Sequence, residues 1–388
     1  MKNLQGLDES YLSSVSEKDS RFDDHKLSAD KISELYGHVS EDGLLGFMCG
    51  SRLVSFQAYA DKISMCGNYL YFKQKQAGLK LDRANFCKVP HCPMCQWRRS
   101  LKWRAKFLKI LPEVQELYPT HRWIFLTLTI KNCELDSLRE TIRLLNQAFN
   151  RLSKRAKFPM DGYVKSIEVT RAWDCYDGFT GEFLGRHGTK WVYQYQKEHN
   201  TAIRVEPTTE VHPHLHVVGL VPSSYFGGKY YIKHSEWREL WRQSLRVEYD
   251  PMVNIKTVKC RKNKKLIPTP EEFSNDEKSD DSGMIAAICE TLKYTVKEQD
   301  MIGEGCDDDD ANSTWLKKIT EQLYKSRKVE YRGVLKEIGK RLEEEASDDD
   351  LIHINNDADQ DIDIEDDENC PTVIYRWEKA IGRYVFRA

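Results

Sequence analysis

The stretch His212-Pro-His-Leu-His-Val-Val218 constrains this chain more than any other. Alternate residues of a strand share a face, so His212, His214 and His216 point one way while Leu215 and Val217 pack behind. Two imidazoles at i and i+2 are natural ligands for one divalent ion. A solvent-facing polar edge, helped by Pro213, is the alternative. Mg²⁺ and Mn²⁺ prefer oxygen, so a carboxylate should accompany the pair. Glu168 lies in a second strand, Tyr163 to Thr170. There Ile167 and Val169 face the core and turn Glu168 to the other side. If the two strands are neighbours, Glu168, His214 and His216 make a three-ligand metal site; otherwise Glu168 is an ordinary solvated carboxylate.

A second cluster lies downstream. Met284 to Glu298 reads as a helix with Ile285, Ile288, Leu292 and Val296 on one side. Glu290, Lys293, Tyr294 and Lys297 fall on the other, at spacings of three, four and seven. A tyrosine placed with a carboxylate and two cations suits phosphodiester cleavage: Tyr294 attacks phosphorus, the lysines neutralise phosphate, and a metal polarises the non-bridging oxygen. The alternative is a merely exposed tyrosine, with Glu290 pairing to Lys293 or Lys297.

Cys87-x4-Cys92-Pro-Met-Cys95 has the spacing of a zinc knuckle, with Cys66 as fourth ligand and His91 as the alternative. Reduced, buried thiols are the competing account. Eleven cysteines, an odd number, in a chain whose N-terminus lacks a signal peptide's apolar core argue against a disulfide framework. The helix that follows, about Trp97 to Leu111, carries Arg98, Lys102, Lys106 and Lys109 in a stripe beside its apolar one. With Trp97 and Trp103 it reads as a DNA-docking element, or else as a solvated charged face.

The net charge of −2 conceals segregation. Basic stretches run from Gln96 to Lys109 and from Lys256 to Lys265, whereas acids concentrate at Asp307 to Asp310 and from Asp348 to Glu368. Basic patches with an acidic tail fit a nucleic-acid binder. No apolar run is long enough to cross a bilayer, so a cytoplasmic protein without a membrane partner is expected.

The chain divides, on this reading, into a flexible arm (1–48), a Cys-rich zinc-like module with the basic helix (49–112), a core (113–300), a helical C-terminal region (301–345), and an acidic disordered segment with a tail (346–388). Within the core, strands are expected at 123–130, 163–170, 214–220 and 253–258, and helices at 135–152 and 235–246. Residues 173 to 210 look like an insertion, with Trp191 to Tyr195 as a hairpin arm. A polar linker is expected from Leu266 to Ser282, an acidic loop from Met301 to Ser313, and helix from Trp315 to Glu345. Strands alternating irregularly with helices indicate an α+β fold.

Phe125-Leu-Thr-Leu-Thr129, His212-Pro-His-Leu-His216 and Glu290-x-x-x-Tyr294 with Lys297 occur in an order that resembles the plasmid rolling-circle replication initiators of the HUH endonuclease superfamily. The likeness is to the branch on small plasmids of Gram-positive bacteria and cyanobacteria, and covers roughly residues 60 to 300. It implies a mostly antiparallel central sheet with flanking helices, the HUH nuclease core. It implies that Tyr294 nicks the double-strand origin, leaving a 5′-phosphotyrosine link and a 3′-OH that primes a host polymerase. It also implies that Glu290 activates water at termination. The insertion and the acidic tail depart from the compact family pattern. Partners on this reading are origin DNA, a host polymerase and a host helicase, since the chain has no P-loop of its own. A transposase or mobilisation relaxase with the same chemistry, and a non-catalytic zinc DNA-binding regulator, are the competing functions.

Overall fold

The computed structural model describes residues 11–15, 17–41, 43–75, 78–258, 283–342 and 370–387. The expected linker at 266–282, the second basic stretch beyond residue 258 and the acidic segment 347–369 lie outside the described residues. In chain order the strands are β1 (Gly46–Cys49), β2 (Arg52–Ser55), β3 (Tyr69–Lys75), β4 (Gly78–Ala84), β5 (Arg122–Thr129), β6 (Cys133–Glu134), β7 (Gly162–Asp177), β8 (Phe183–Gly188), β9 (Ile203–Val221), β10 (Val253–Thr257), β11 (Val329–Gly333), β12 (Thr372–Glu378) and β13 (Arg383–Phe386). The chain forms two compact units, Met1–Ala105 with Ser347–Ala388, and Lys106–Ala346. Among the described residues no helix is long and apolar enough to cross a membrane.

The first unit joins the two ends of the chain. Its sheet runs β4-β3-β12-β13, all antiparallel, so part of the expected C-terminal tail is instead sheet. The expected flexible arm is corrected as well: Glu17–Gly37 is a helix, with Phe22, Ala29, Ile32 and Tyr36 buried. Its apolar stripe is hard to see because polar residues share the buried face. Lys26 is fully buried and donates to Asp30 Oδ1 (2.8 Å) and to the Ser64 carbonyl (2.9 Å). Trp377 Nε1 donates to the other oxygen of Asp30 at 2.8 Å, and the Tyr384 amide donates to Asp23 at 2.9 Å. Buried polar groups with partners read as surface in a hydrophobicity pattern.

The second unit is built on an antiparallel sheet of order β10-β5-β9-β7-β11, with β6 on β9 and β8 on β7. Each strand expected in the core is present, and β7 and β9 run well past the expected ends. One sheet face is covered by the helix Leu138–Ser153, whose Leu138, Ile142, Leu145, Phe149 and Leu152 are buried. Tyr163 meets the Phe149 ring at 5.2 Å, and Lys165 reaches Asn146 Oδ1 at 2.8 Å, which fixes that face as the one bearing Tyr163, Lys165 and Ile167. The helix His234–Leu245 adds Trp237 and Trp241, both fully buried. Each such side chain contributes about 1.5–3 kcal/mol by leaving water. The opposite face carries Glu168, His214 and His216.

Two further expectations are corrected here. Trp191–Tyr195 is not a hairpin arm but part of the helix Thr189–His199, set between β8 and β9 where β7 and β9 extend outward. His187, Trp191, Tyr195 and His199 recur every four residues, a helical period, and stack in sequence at 3.6, 4.7 and 4.0 Å. The stretch expected to be helical from Trp315 to Glu345 is not continuously so. Helices Asp309–Gln322 and Val334–Leu342 flank β11, which pairs with the edge of β7. Gly333 ends that strand at φ +58°, where a Cβ would strike the Asp161 carbonyl. The helix Glu298–Ile302 runs into the start of the expected acidic loop, and within that loop Asp308 caps Asp309–Gln322 by accepting from the Ala311 amide.

Replacing Asp30 by Ala removes the partner of a buried ammonium and of an indole N–H. The expected cost is about 3–5 kcal/mol of stability in the first unit, read as a fall in the urea midpoint of its transition. An unchanged midpoint would show that Lys26 finds other compensation.

Candidate metal centre

The pairing of β7 with β9 sets Glu168 opposite His214, and the pairing of β5 with β9 sets Thr127 opposite His216. With a side-chain period of two, all four share one face. His216 Nε2 lies 2.8 Å and His214 Nε2 3.2 Å from the same oxygen, Glu168 Oε2, and the two nitrogens are 3.1 Å apart. Cis ligands on an octahedral ion at about 2.1 Å lie about 3 Å apart. The triad therefore fits one divalent cation. All three residues are buried.

The far sides of the rings are tied down. Thr127 Oγ1 and His216 Nδ1 are 3.2 Å apart, His214 Nδ1 is 3.3 Å from the His212 carbonyl, and Phe125 stacks on His216 at 5.4 Å. Such bonds at Nδ1 leave Nε2 to serve as ligand. Burial pushes the His216 pKa down despite the nearby Glu168, which favours the neutral imidazole a metal needs. Burial also works to raise Glu168, yet bonds from both histidines and the charge of Lys293 outweigh it and hold the carboxyl well below its usual range. His212 is not one of the converging three and pairs with Asn132 Oδ1 at 2.8 Å.

The tyrosine segment differs from expectation. The helix is Met284–Thr291 and stops before Tyr294, so Tyr294 and Glu290 do not share a helical face. Three contacts accompany the break. The Thr295 carbonyl accepts from the Val169 amide on β7 (2.7 Å), which a continuous helix would have engaged internally. Lys293 and Lys297 also reach back to Glu168, at 2.9 and 3.4 Å. Leu292 and Val296 are buried as the sequence indicated, whereas Tyr294 is half-buried in the stretch pinned on both sides by these lysines.

Glu290 joins the cluster from the end of the helix, 2.6 Å from Lys293 and 3.5 Å from His216 Nε2. Burial acts to raise its pKa, but Lys293 and His216 bring it below normal. The two carboxylates raise Lys293 against its own burial. What sequence reasoning missed is that both lysines balance Glu168 directly. It also missed Thr127, although Phe125-Leu-Thr-Leu-Thr129 alternates in phase with the histidines.

In the first unit, Cys66, Cys87, Cys92 and Cys95 converge, their sulfurs all within 4.8 Å of one another. Cys95 Sγ lies 3.6 Å from Cys66 Sγ and 3.7 Å from Cys87 Sγ. A tetrahedron of thiolates about 2.3 Å from zinc has edges of about 3.8 Å. The Cys87 and Lys88 amides donate to Cys66 and Cys95 sulfurs at 3.3 Å, as suits thiolates. Bonds from the other three hold the Cys95 thiol low, while burial pushes the Cys92 thiol up. His91 stands outside the group, against Gln96.

The basic helix, Pro93–Leu117, is only partly a charged face. Arg98 is fully buried, its guanidinium over the Trp97 and Phe86 rings, and Trp97 itself packs on Phe22 and His25. Arg98 and Trp97 therefore belong to the interior and not to a DNA-facing stripe. Lys102 and Lys106 are half-buried and Lys109 is exposed.

Comparison with known proteins follows the same lines. A family model described as Replication protein matches residues 78–385. Proteins named Protein rep are similar: one from Streptococcus pneumoniae serotype 2 is 33% identical, covering 77% of each chain. Another from Lactiplantibacillus plantarum is 31% identical over 82% of this chain and 85% of its own length. One from Bacillus amyloliquefaciens is 31% identical over 84% and 85%. No solved structure gives a significant match.

Proposed function

The chain belongs to the Replication protein family, and from that premise we propose that it starts rolling-circle replication of a plasmid by nicking one strand at the origin with Tyr294. The observation that carries this reading is the convergence of Glu168, His214 and His216 on one point, beside a tyrosine segment fastened to that same carboxylate. The fold is the HUH nuclease core on this reading.

Glu168, His214 and His216 would hold Mg²⁺ or Mn²⁺, which supplies Lewis-acid polarisation of a non-bridging phosphate oxygen. Tyr294 Oη attacks phosphorus as its proton is lost, the bond from phosphorus to O3′ breaks, and the 3′-oxygen leaves with a proton. The products are a 5′-phosphotyrosine and a free 3′-OH for a host polymerase, with a host helicase opening the duplex. Lys293 and Lys297 flank Tyr294 and supply positive charge for the phosphate. Glu290, half-exposed and ionised, takes a proton from water at termination; the water oxygen bonds to the second scissile phosphorus, the bond from phosphorus to O3′ breaks, and the 3′-oxygen leaves with a proton, so no second tyrosine is needed. Lys102 and Lys106 contact the DNA backbone. Cys66, Cys87, Cys92 and Cys95 hold a structural Zn²⁺, since thiolates select zinc over Mg²⁺.

Tyr294→Phe removes the nucleophile and little packing. Incubation with single-stranded origin DNA and Mn²⁺ is expected to give a covalent adduct with the unaltered chain and none with this variant, while DNA binding stays within about twofold. Nicking by the Phe variant at the unaltered rate would place the nucleophile elsewhere. Glu290→Gln keeps size but removes the base. It should form the first adduct and yet yield multimeric products from a plasmid with two directly repeated origins; normal monomer circles would sink the termination role. Elemental analysis of chain purified without chelator should find about one zinc per molecule, retained when His214 and His216 are both replaced by Ala. Four freely titratable thiols in the folded chain would refute it.

A further inference from the structure

A cavity of about 440 Å³ opens in the second unit beside the tyrosine segment. That size lies within the ~300–1,000 Å³ typical of small-molecule sites. Val192, Ile203 and Val205 give it apolar walls, while Thr189, Gln196 and Gln299 offer hydrogen bonds. Lys297 also lines it, and the same ammonium stands 3.4 Å from Glu168 Oε1, so the cavity adjoins the metal centre. Most of its walls come from the 173–210 insertion, which the proposed chemistry does not use.

The helix that forms one wall, Thr189–His199, has no buried residue although it carries Trp191, Val192, Tyr193 and Tyr195. One of its faces is occupied with itself, in the stack of His187, Trp191, Tyr195 and His199 rings. The other bears Tyr193, which lines the cavity and is 71% exposed. An exposed tyrosine over an apolar slot flanked by amides is what a flat, uncharged heteroaromatic ring requires. Glu304 on the rim disfavours a phosphate inside. Lys190 and Lys297 are left to meet backbone phosphates on either side.

Resting on the nicking reading above, we propose that this cavity takes one unpaired base of the strand to be cut, next to the scissile phosphate, and so contributes to origin recognition. A base within a duplex cannot enter it, so the cavity selects melted or extruded DNA. Its wall is mechanically joined to the tyrosine segment. Thr189 Oγ1 accepts from Trp173 Nε1 (3.1 Å) and donates to Asp300 Oδ1 (2.6 Å). Asp300 sits in the helix Glu298–Ile302, directly after Lys297, and also accepts from the Arg171 amide on β7. A base seated against Trp173 and Thr189 therefore touches the groups that hold the segment carrying Tyr294.

The test is equilibrium binding of single-stranded origin oligonucleotides to the Tyr294→Phe chain by fluorescence anisotropy, with one abasic position moved along the strand. One position is expected to weaken binding about tenfold. Val192→Trp, which fills the cavity from a helix without buried residues, should weaken the intact strand similarly and make that abasic position cost nothing further. Gln196→Ala, which adds no bulk, should change which base is preferred there. A flat abasic scan, or losses that simply add in Val192→Trp, overturns the proposal. Absence of an adduct between the unaltered chain and the same oligonucleotide would instead overturn the nicking reading, because the binding result does not depend on cleavage.

Discussion

The pairing of β7 with β9 is the constraint on which the second unit depends. The register in which Glu168 faces His214 brings a carboxylate oxygen to both imidazole nitrogens while Ile167, Leu215 and Val217 stay in the core. A slip of one residue would turn the histidines into the apolar layer and bring Leu215 and Val217 onto the polar face. The penalty for either would be several buried groups in the wrong surroundings, which is why core packing and site geometry specify the same register. Length helps: both strands extend far beyond the site, and β5 fixes β9 from its other side through Thr127 and His216.

A buried carboxylate at the middle of such a sheet has to be balanced. Glu168 is 3% exposed and meets two imidazoles and two ammonium groups. Lys293 and Lys297 supply the balance from a segment that gives up helical structure to do so. Where helical propensity and the field of a buried charge disagree over a few residues, the charge prevails, because an unpaired buried anion costs several kcal/mol and a residue's helical preference well under one. The same balance explains why this stretch is a poor place to read periodicity.

Much of the second unit was legible because its chemistry follows simple periods. The alternation in His212 to Val218, the alternation around Glu168 and the amphipathic stripe of Leu138–Ser153 are direct consequences of strand and helix geometry. The cysteine spacing likewise announced a four-sulfur cluster. What was not legible has a common cause in polar groups that are buried with partners far along the chain. Lys26 with Asp30 and Trp377 hid a helix at the start of the chain, and the same contact hid the sheet strands at its end. Arg98 looked like surface because its stacking on Trp97 and Phe86 leaves no trace in a charge pattern. The break after Thr291 was hidden because Lys293, Lys297 and the Thr295 carbonyl answer to β7 and not to their own helix.

Residues 173–210 extend the sheet outward from the site without disturbing it. β7 and β9 already pair through the site, so lengthening both outward continues an existing ladder, and β8 pairs with the other edge of β7 there, leading into Thr189–His199. The site's register is thus unaffected by what the extension carries. At the junction Arg171 is buried between the Trp173 and Trp315 rings at 3.9 and 4.9 Å and donates to Asn312 at 2.8 Å. Burial brings its pKa down to about 9, so it stays protonated at neutral pH and its charge is met by Asp300 and neighbouring acids. This cation ties β7 to the helices Glu298–Ile302 and Asp309–Gln322, the elements that follow the tyrosine segment.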